Sequence, residues 1–380
     1  MVVRQVLICP DAFKGSLSAV AAAEAIANGI KRADPQIMVD CLPLADGGEG
    51  TVAALLSTGQ GERRQQQVTG PLGDPVLATY GLMGKTALLE LAQTSGLPLV
   101  PPARRDPAIT TTQGLGELIL AVAQDLDLEA GWIGLGGSAT HDGGTGMARG
   151  LGYRFWDRQG QRLPQGGVAL RHLHRIEPPP GSLAWQRVQG MRWLGLSDVQ
   201  NPLIGANGAT LFAPQKGATP AQLPLLEEAM QQLALCIKRD LGVAVADLAG
   251  TGSAGGTGAG LVAFLGGSLV SGTERILQQV GFEQRLAAAD LVISGEGRLD
   301  SQSWMGKLLS GIWQATQQAG KPLIVLVGQV ASASYVPHPL LEVRALDSLA
   351  QHEEDAHAHA SQYLAELAYQ TLRDRQNSSD

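Results

Sequence analysis

Short apolar runs alternate with helix-period stretches along the chain, and they sort into three zones. Residues 3–9 (VRQVLIC) predict a buried strand. The turn Pro10-Asp11-Ala12-Phe13-Lys14-Gly15-Ser16 follows. Ser16 or Ser18 is placed to cap an Ala-rich helix over 18–33, where apolar residues recur every three to four positions. Asp34-Pro35 stops it. Residues 36–45 predict a second strand, and 46–51 opens a second helix. Strand, helix, strand, helix is the α/β pattern.

From about residue 62 to residue 90 the pattern changes. Segments 63–69 and 75–90 predict a hairpin around the turn residues of 70–75. A helix is expected from Thr110-Thr111-Thr112 to about 125, then a strand at 132–135 that enters the richest glycine loop. Another hairpin is expected over 151–170, a Pro-rich surface loop over 175–190, and an amphipathic helix over 220–241. Beyond about 285 the first pattern returns. A helix closes at 286–289, strands fall at 290–294, 321–328 and 341–346, and helices at 303–319 and 355–375. Similar ends around a different middle predict two domains. Residues 1–62 plus 285–380 form a discontinuous Rossmann-like or flavodoxin-like α/β domain, and 63–284 an inserted mixed α/β domain.

Composition narrows the function classes. Glycine is in excess: 49 of 380 residues, about 13% against the usual 7% or so. The glycines cluster in runs between apolar stretches, which suits backbone that must approach a small ligand closely. Net charge is −7 and no basic block occurs, so a nucleic-acid surface is not expected. No apolar run approaches the roughly 20 residues of a membrane helix, and the first residues lack a signal-peptide layout. The three cysteines, Cys9, Cys41 and Cys236, form no CxxC pair and are expected as buried structural thiols. A cytoplasmic protein follows as the expectation. His352, His357 and His359 share a polar helix at poor ligand spacing, so no metal site is expected there.

Two nucleotide motifs fail. Gly84-Lys85-Thr86 lacks the leading glycine of a P-loop, because Thr79 stands there. No GxGxxG follows a strand with an acidic residue about 20 positions on. Five glycine-rich segments with polar groups remain. Asp11 to Ser18 lies between a strand end and a helix start, where open α/β sheets bind anions. Its alternative is a capped turn with a solvated Lys14. Asp46 and Glu49, three apart among glycines, suit Mg²⁺ or a substrate hydroxyl, or simply an acidic helix start. Gly134 to Gly146 holds Gly136, Gly137, Ser138, Ala139, Thr140, Asp142, Gly143 and Gly144, a dense set of backbone donors that can form an anion nest for phosphate, or a purely structural loop. Asp198, at a strand end in Ser197–Leu203, is a candidate base or metal ligand, or an Asx-turn. Glu296 and Asp300 suit Mg²⁺, while Arg298 and Lys307 suit phosphate or carboxylate. Residues 250–260 (GTGSAGGTGAG) fit either a further loop or tight helix packing. Acidic pairs, cationic clamps and donor-rich loops together point to phosphoryl transfer, which is mainly positioning and charge stabilisation.

These segments resemble the motifs of the glycerate kinase type 1 family. They stand here as PDAFKGSLSA (10–19), ADGGEGT (45–51), GGSATHDGGTGM (136–147), DVQNPL (198–203) with APQKGA (213–218), and GEGRLD (295–300) followed by Gly306-Lys307. Order is kept over nearly the whole chain. Ala12 replaces a usual Ser or small polar residue, His141 a usual Asn, and Ala213 a usual Gly. The resemblance implies two α/β domains with the active site in the cleft between them. It implies ATP-dependent, Mg²⁺-assisted phosphorylation of D-glycerate, generally to 2-phosphoglycerate, in glyoxylate, glycerate and photorespiratory carbon salvage.

On those motifs the physical assignments are as follows. Lys14, Ser16, Asp46 and Arg298 bind glycerate, and Lys14 and Arg298 pair with its carboxylate. Asp198 accepts the hydroxyl proton, with Asp46 second. Glu296 and Asp300 hold Mg²⁺, the 136–144 loop holds phosphate, and Lys307 offsets charge on ADP. A kinase for another small hydroxy acid, a nicotinamide-dependent oxidoreductase and a non-catalytic binding protein are the alternatives. The assembly is left open, with a homodimer as one option.

Overall fold

The computed structural model describes residues 3–59, 61–304, 307–331, 337–350 and 353–377. The described chain contains thirteen strands. In chain order they are β1 (Gln5–Ile8), β2 (Met38–Cys41), β3 (Glu62–Thr69), β4 (Pro75–Met83), β5 (Thr86–Glu90), β6 (Ala130–Gly134) and β7 (Arg154–Trp156). Then come β8 (Arg175–Glu177), β9 (Arg192–Leu196), β10 (Ser268–Val270), β11 (Leu291–Leu299), β12 (Leu323–Val330) and β13 (Leu341–Ala345). The chain divides into two compact units, one of residues 1–46, 53–59 and 273–380, the other of 47–52 and 60–272.

The first unit is built on an all-parallel sheet in the order β13-β12-β11-β1-β2. Parallel strands are covered on both faces and read as continuous apolar runs. Val6, Leu7 and Ile8 of β1 and Leu291, Val292 and Ile293 of β11 accordingly show no exposed surface. The helix Ala19–Ala33 begins on Ser18, whose hydroxyl accepts the Ala21 N–H at 3.2 Å. Its buried stripe of Ala22, Ile26 and Ile30 packs toward the helix Ala360–Asn377, which contributes Leu364 and Leu372 to the same core. Gly29 permits that approach: a Cβ there would lie 2.1 Å from the Ala365 carbonyl oxygen. From β1 the chain steps outward to β2 on one side, and from β11 it steps outward to β12 and β13 on the other. The carboxyl ends of these two strands therefore flank a crevice, the place where open α/β sheets bind ligands.

The second unit carries a mixed sheet in the order β10-β9-β6-β5-β4-β3. β3, β4 and β5 run antiparallel, while β5, β6, β9 and β10 are parallel to their neighbours. Ile119, Ile133, Met147, Leu233, Ile237 and Phe264 lie in its core. β7 and β8 form a separate antiparallel ribbon.

Several expected elements come out differently. The long strand 75–90 breaks at Gly84-Lys85 into β4 and β5, because the chain turns back on itself there. The hairpin expected over 151–170 forms as a tight turn, with Trp156 bridged to Arg162 and Leu163 N–H on Phe155 O at 2.9 Å, while β7 also pairs with the later β8. The loop expected at 175–190 contains β8 and the helix Leu183–Gly190, capped by Ser182. Segment 250–260 is mostly helix (Ser253–Leu265), with Ala254, Gly255 and Gly256 in the left-handed region near its start. The division into units falls after residue 272, not near 285, since the helix Phe282–Ala288 packs on β1. All three thiols are free, and Cys9 and Cys236 are buried, but Cys41 is exposed at the end of an edge strand. No described helix is long and apolar enough to cross a membrane.

Candidate active site

In the first unit a cavity of about 390 Å³ opens at the crevice between the ends of β1 and β11. Its lining brings together Lys14, Ser16, Asp46, Glu296, Arg298, Asp300 and Lys307. The loop after β1 is fixed by backbone bonds, Cys9 N–H to Ile293 O and Asp11 N–H to Gly295 O, both at 2.8 Å. Phe13 anchors it as a buried side chain, and Ser16 N–H closes a turn on Phe13 O at 2.8 Å. Lys14 and Ser16 are thereby held out at the exposed crest.

Two of the cavity's acids, Asp11 and Glu296, are held above the usual carboxylate range. Burial, then the neighbouring Asp46 carboxylate, pushes Asp11 up to about 7, against the pull of the Ala12 N–H and Lys14. Burial likewise raises Glu296 to about 7, partly opposed by Ser303 and Lys307. Glu296 Oε1 is buried with no hydrogen-bond partner. A buried carboxylate oxygen without a donor is a costly arrangement that a bound cation would relieve. No described group of three or more Asp, Glu, His or Cys gathers to hold a metal. Mg²⁺ commonly takes only one or two carboxylates and fills its shell with phosphate oxygens and water, so the Glu296–Asp300 pair fits that use.

The glycine loop of the second unit has two parts. From Ala139 onward several of its backbone groups and the Asp142 carboxylate are spent internally. Ala139 N–H reaches Ser95 O at 2.9 Å and Gly143 N–H reaches Gly255 O at 3.0 Å. Asp142 is fully buried and accepts the N–H groups of Thr112, Gly144 and Gly146 at 2.9, 3.1 and 3.0 Å, plus the Thr112 hydroxyl. Burial raises its pKa while these four donors oppose the rise. Only Gly136 and Gly137 of the segment reach the surface, with Ser138 just beneath at 5% exposure. The backbone-donor role expected for 136–144 thus narrows to its first residues. Asp142 instead holds the loop onto the Thr112 turn, Gly143 N–H ties it to Gly255, and Gly144 N–H closes on Asp142 within the loop.

Asp198 follows β9 and is half-buried, and its Oδ1 accepts the Ser271 hydroxyl at 2.7 Å. The donated hydrogen bond fixes the orientation of that carboxylate oxygen. His141 is fully buried, with Nε2 3.5 Å from Thr210 Oγ1, which itself donates to Glu227 at 2.8 Å. Burial, reinforced by Lys216, pushes the imidazole down to about 3, so it stays neutral. Ala213 is buried with Ala108 and Leu226.

A family model described as the glycerate kinase family matches residues 6–376. The chain belongs to the glycerate kinase family. A glycerate kinase of Halalkalibacterium halodurans is 44% identical over 86% of this chain and 85% of its own length. The glycerate 2-kinase of Escherichia coli is 42% identical over 88% of this chain and 87% of its own. A crystal structure assigned to glycerate kinase 2 of Salmonella typhimurium LT2 covers 100% of both chains at 42% identity, with a TM-score of 0.80. The protein is therefore an enzyme, a kinase acting on glycerate, and the nicotinamide and non-catalytic alternatives fall away.

For a kinase of this family, the sequence passed over three residues that the structure brings forward. Asp11 lines the cavity; its position at the end of β1 inside a glycine motif was a usable signal. His357 lines the same cavity, yet its helix carries no motif. Lys216 is buried at 4% exposure, although charged side chains inside a short 3₁₀ turn normally face water. Of the other positions in the expected sites, Gly306 and His352 lie outside the described residues.

Proposed function

We propose that this enzyme transfers the γ-phosphoryl group of ATP to D-glycerate, giving 2-phosphoglycerate, with Mg²⁺ as the metal. The observation that carries the reading is the first unit's cavity, where cations and acids converge at the crevice of a parallel sheet. The 42% identity to a glycerate 2-kinase favours the 2-position.

In this mechanism Lys14, Ser16 and Arg298 hold the acid's carboxylate by charge-assisted hydrogen bonds. Glu296 and Asp300 would hold Mg²⁺, which neutralises phosphate charge when bound. Asp198, kept oriented by Ser271, accepts the proton of the attacking hydroxyl, with Asp46 as the second candidate. The glycerate oxygen forms its bond to the γ-phosphorus as the bond to the β-phosphate oxygen breaks. Lys307 offsets the charge left on ADP, and Gly136, Gly137 and Ser138 bind phosphate oxygens. A cytoplasmic location belongs to the same reading.

The test incubates purified protein with ATP, Mg²⁺ and D-glycerate and reads the product by ³¹P NMR. A phosphomonoester on carbon 2, formed only with metal, is the expected result. A 3-phosphate would overturn the positional reading, and full turnover in excess EDTA would overturn the metal.

A further inference from the structure

Lys216 belongs to none of the roles above. Its ammonium donates to Ser138 Oγ and to Thr140 O, both at 2.7 Å. An ammonium has three donors and no acceptor. The Ser138 oxygen is therefore the acceptor in this pair, and its own O–H is left to point elsewhere. Ser138 is the last residue of the short surface part of the glycine loop, next to the exposed Gly137. The lysine comes from the APQKGA segment, which the sequence singles out and the mechanism does not use.

The position is expensive. A lysine at 4% exposure sheds its hydration. The titratable groups around it are Asp142, whose charge favours the ammonium, and His141, which stays neutral. Burial still drives Nζ down to about 7. A side chain kept there purely for packing would be better replaced by an apolar one. Buried Thr140 Oγ1, His141 Nδ1 and Ser253 Oγ find no partner, so the lysine is not satisfying the polar atoms left over in this region.

From this geometry we propose that Lys216 is a positioning residue for the nucleotide, fixing Ser138 as an outward hydroxyl donor and placing a positive charge beneath the 136–138 anion-binding tip. The proposal rests on the reading of that tip as a phosphate site. Polarised by the ammonium, Ser138 donates a stronger hydrogen bond to a phosphate oxygen than a free serine would. The bound phosphate in turn stabilises the charged lysine.

The test is a double-mutant cycle on the full-length enzyme, with steady-state kinetics in ATP and in D-glycerate. Lys216→Met should raise KM for ATP about ten- to a hundred-fold, the range for a hydrogen bond to a charged group. KM for glycerate should hardly move and kcat should change less than KM for ATP. Ser138→Ala should act in the same direction, and the double variant should be little worse than Lys216→Met alone. Lys216→Gln, which keeps a donor, should recover part of the loss. Should Lys216→Met fail to fold, Lys216→Gln and Ser138→Ala still form a cycle with the parent. Multiplying effects in the double variant, an unchanged KM for ATP in folded Lys216→Met, or equal rises in both KM values would overturn the proposal. A parent with no ATP turnover on glycerate would overturn the functional reading itself. A parent that turns over normally, with Ser138→Ala leaving KM for ATP unchanged, would remove the proposal alone.

Discussion

Two glycine-rich segments with an embedded carboxylate look alike in sequence and do opposite things. In the first unit, Glu296 follows Gly295 in the second half of β11, with one oxygen buried and unpartnered beside an open cavity. In the second unit, Asp142 precedes Gly143 and is enclosed by four donors from its own loop and the Thr112 turn. Glycine supplies the backbone freedom in both. What separates them is the source of the donors. A carboxylate with both oxygens hydrogen-bonded within the chain becomes a structural pin, and one with an oxygen left unpartnered stays available to a ligand.

The largest test of the contrast is on stability. Asp142→Ala strands three buried N–H groups and should cost about 3–5 kcal/mol in equilibrium urea unfolding. Glu296→Gln removes a buried charge with one unpartnered oxygen and should unfold no more easily than the parent while losing turnover. Similar stability losses from both would erase the distinction.

On activity the order reverses. Lys14→Ala and Arg298→Ala should each lower kcat/KM for glycerate by about ten- to a hundred-fold, the value of a charged hydrogen bond. Their unfolding midpoints should match the parent, since both side chains are exposed. A KM for glycerate left intact in both would separate the cavity from the acid's carboxylate.

The pH dependence has opposite signs in the two regions. Asp11 and Glu296 are raised to about 7 in the folded state, so the folded protein binds more protons than the unfolded one above about pH 4. Parent stability should fall, relative to Asp11→Asn and Glu296→Gln, as pH rises from about 4 to 7. Lys216 is lowered to about 7, so here the unfolded protein binds more protons from there up to the normal lysine value. Parent stability should rise, relative to Lys216→Met, between about pH 7 and 10. Urea unfolding of parent and variants across pH reads both slopes, and a shared sign would contradict the assignment.

The smallest effect is expected at the tip. Gly137 has φ +76°, and a Cβ there would lie 3.3 Å from Ala92 Cβ. Gly137→Ala should cost about 1–2 kcal/mol from the left-handed backbone alone. It should also raise KM for ATP by a few-fold, measured beside Ser138→Ala. A lower KM would show that phosphate does not approach that backbone.

Much was settled by the sequence alone. Periodicity placed β1, the helix after it, β11, β12 and the long helix near 223–241, because apolar spacing registers which face is buried whatever the partner. The motifs nominated Lys14, Asp46, Glu296, Arg298, Asp300 and Lys307, which come from segments up to 293 residues apart and meet on one cavity. The resemblance in order and spacing carried the family. Other features needed the tertiary structure. Whether Asp142 is a ligand or a pin depends on donors from Thr112, thirty residues away. Whether Lys216 is solvated or buried depends on the 138–140 loop that covers its ammonium. His357 enters the cavity only because its helix stands against the loop at Gly15. Local spacing encodes local faces. Burial, and with it the charge state and purpose of a polar side chain, is decided by which distant segment supplies its hydrogen bonds.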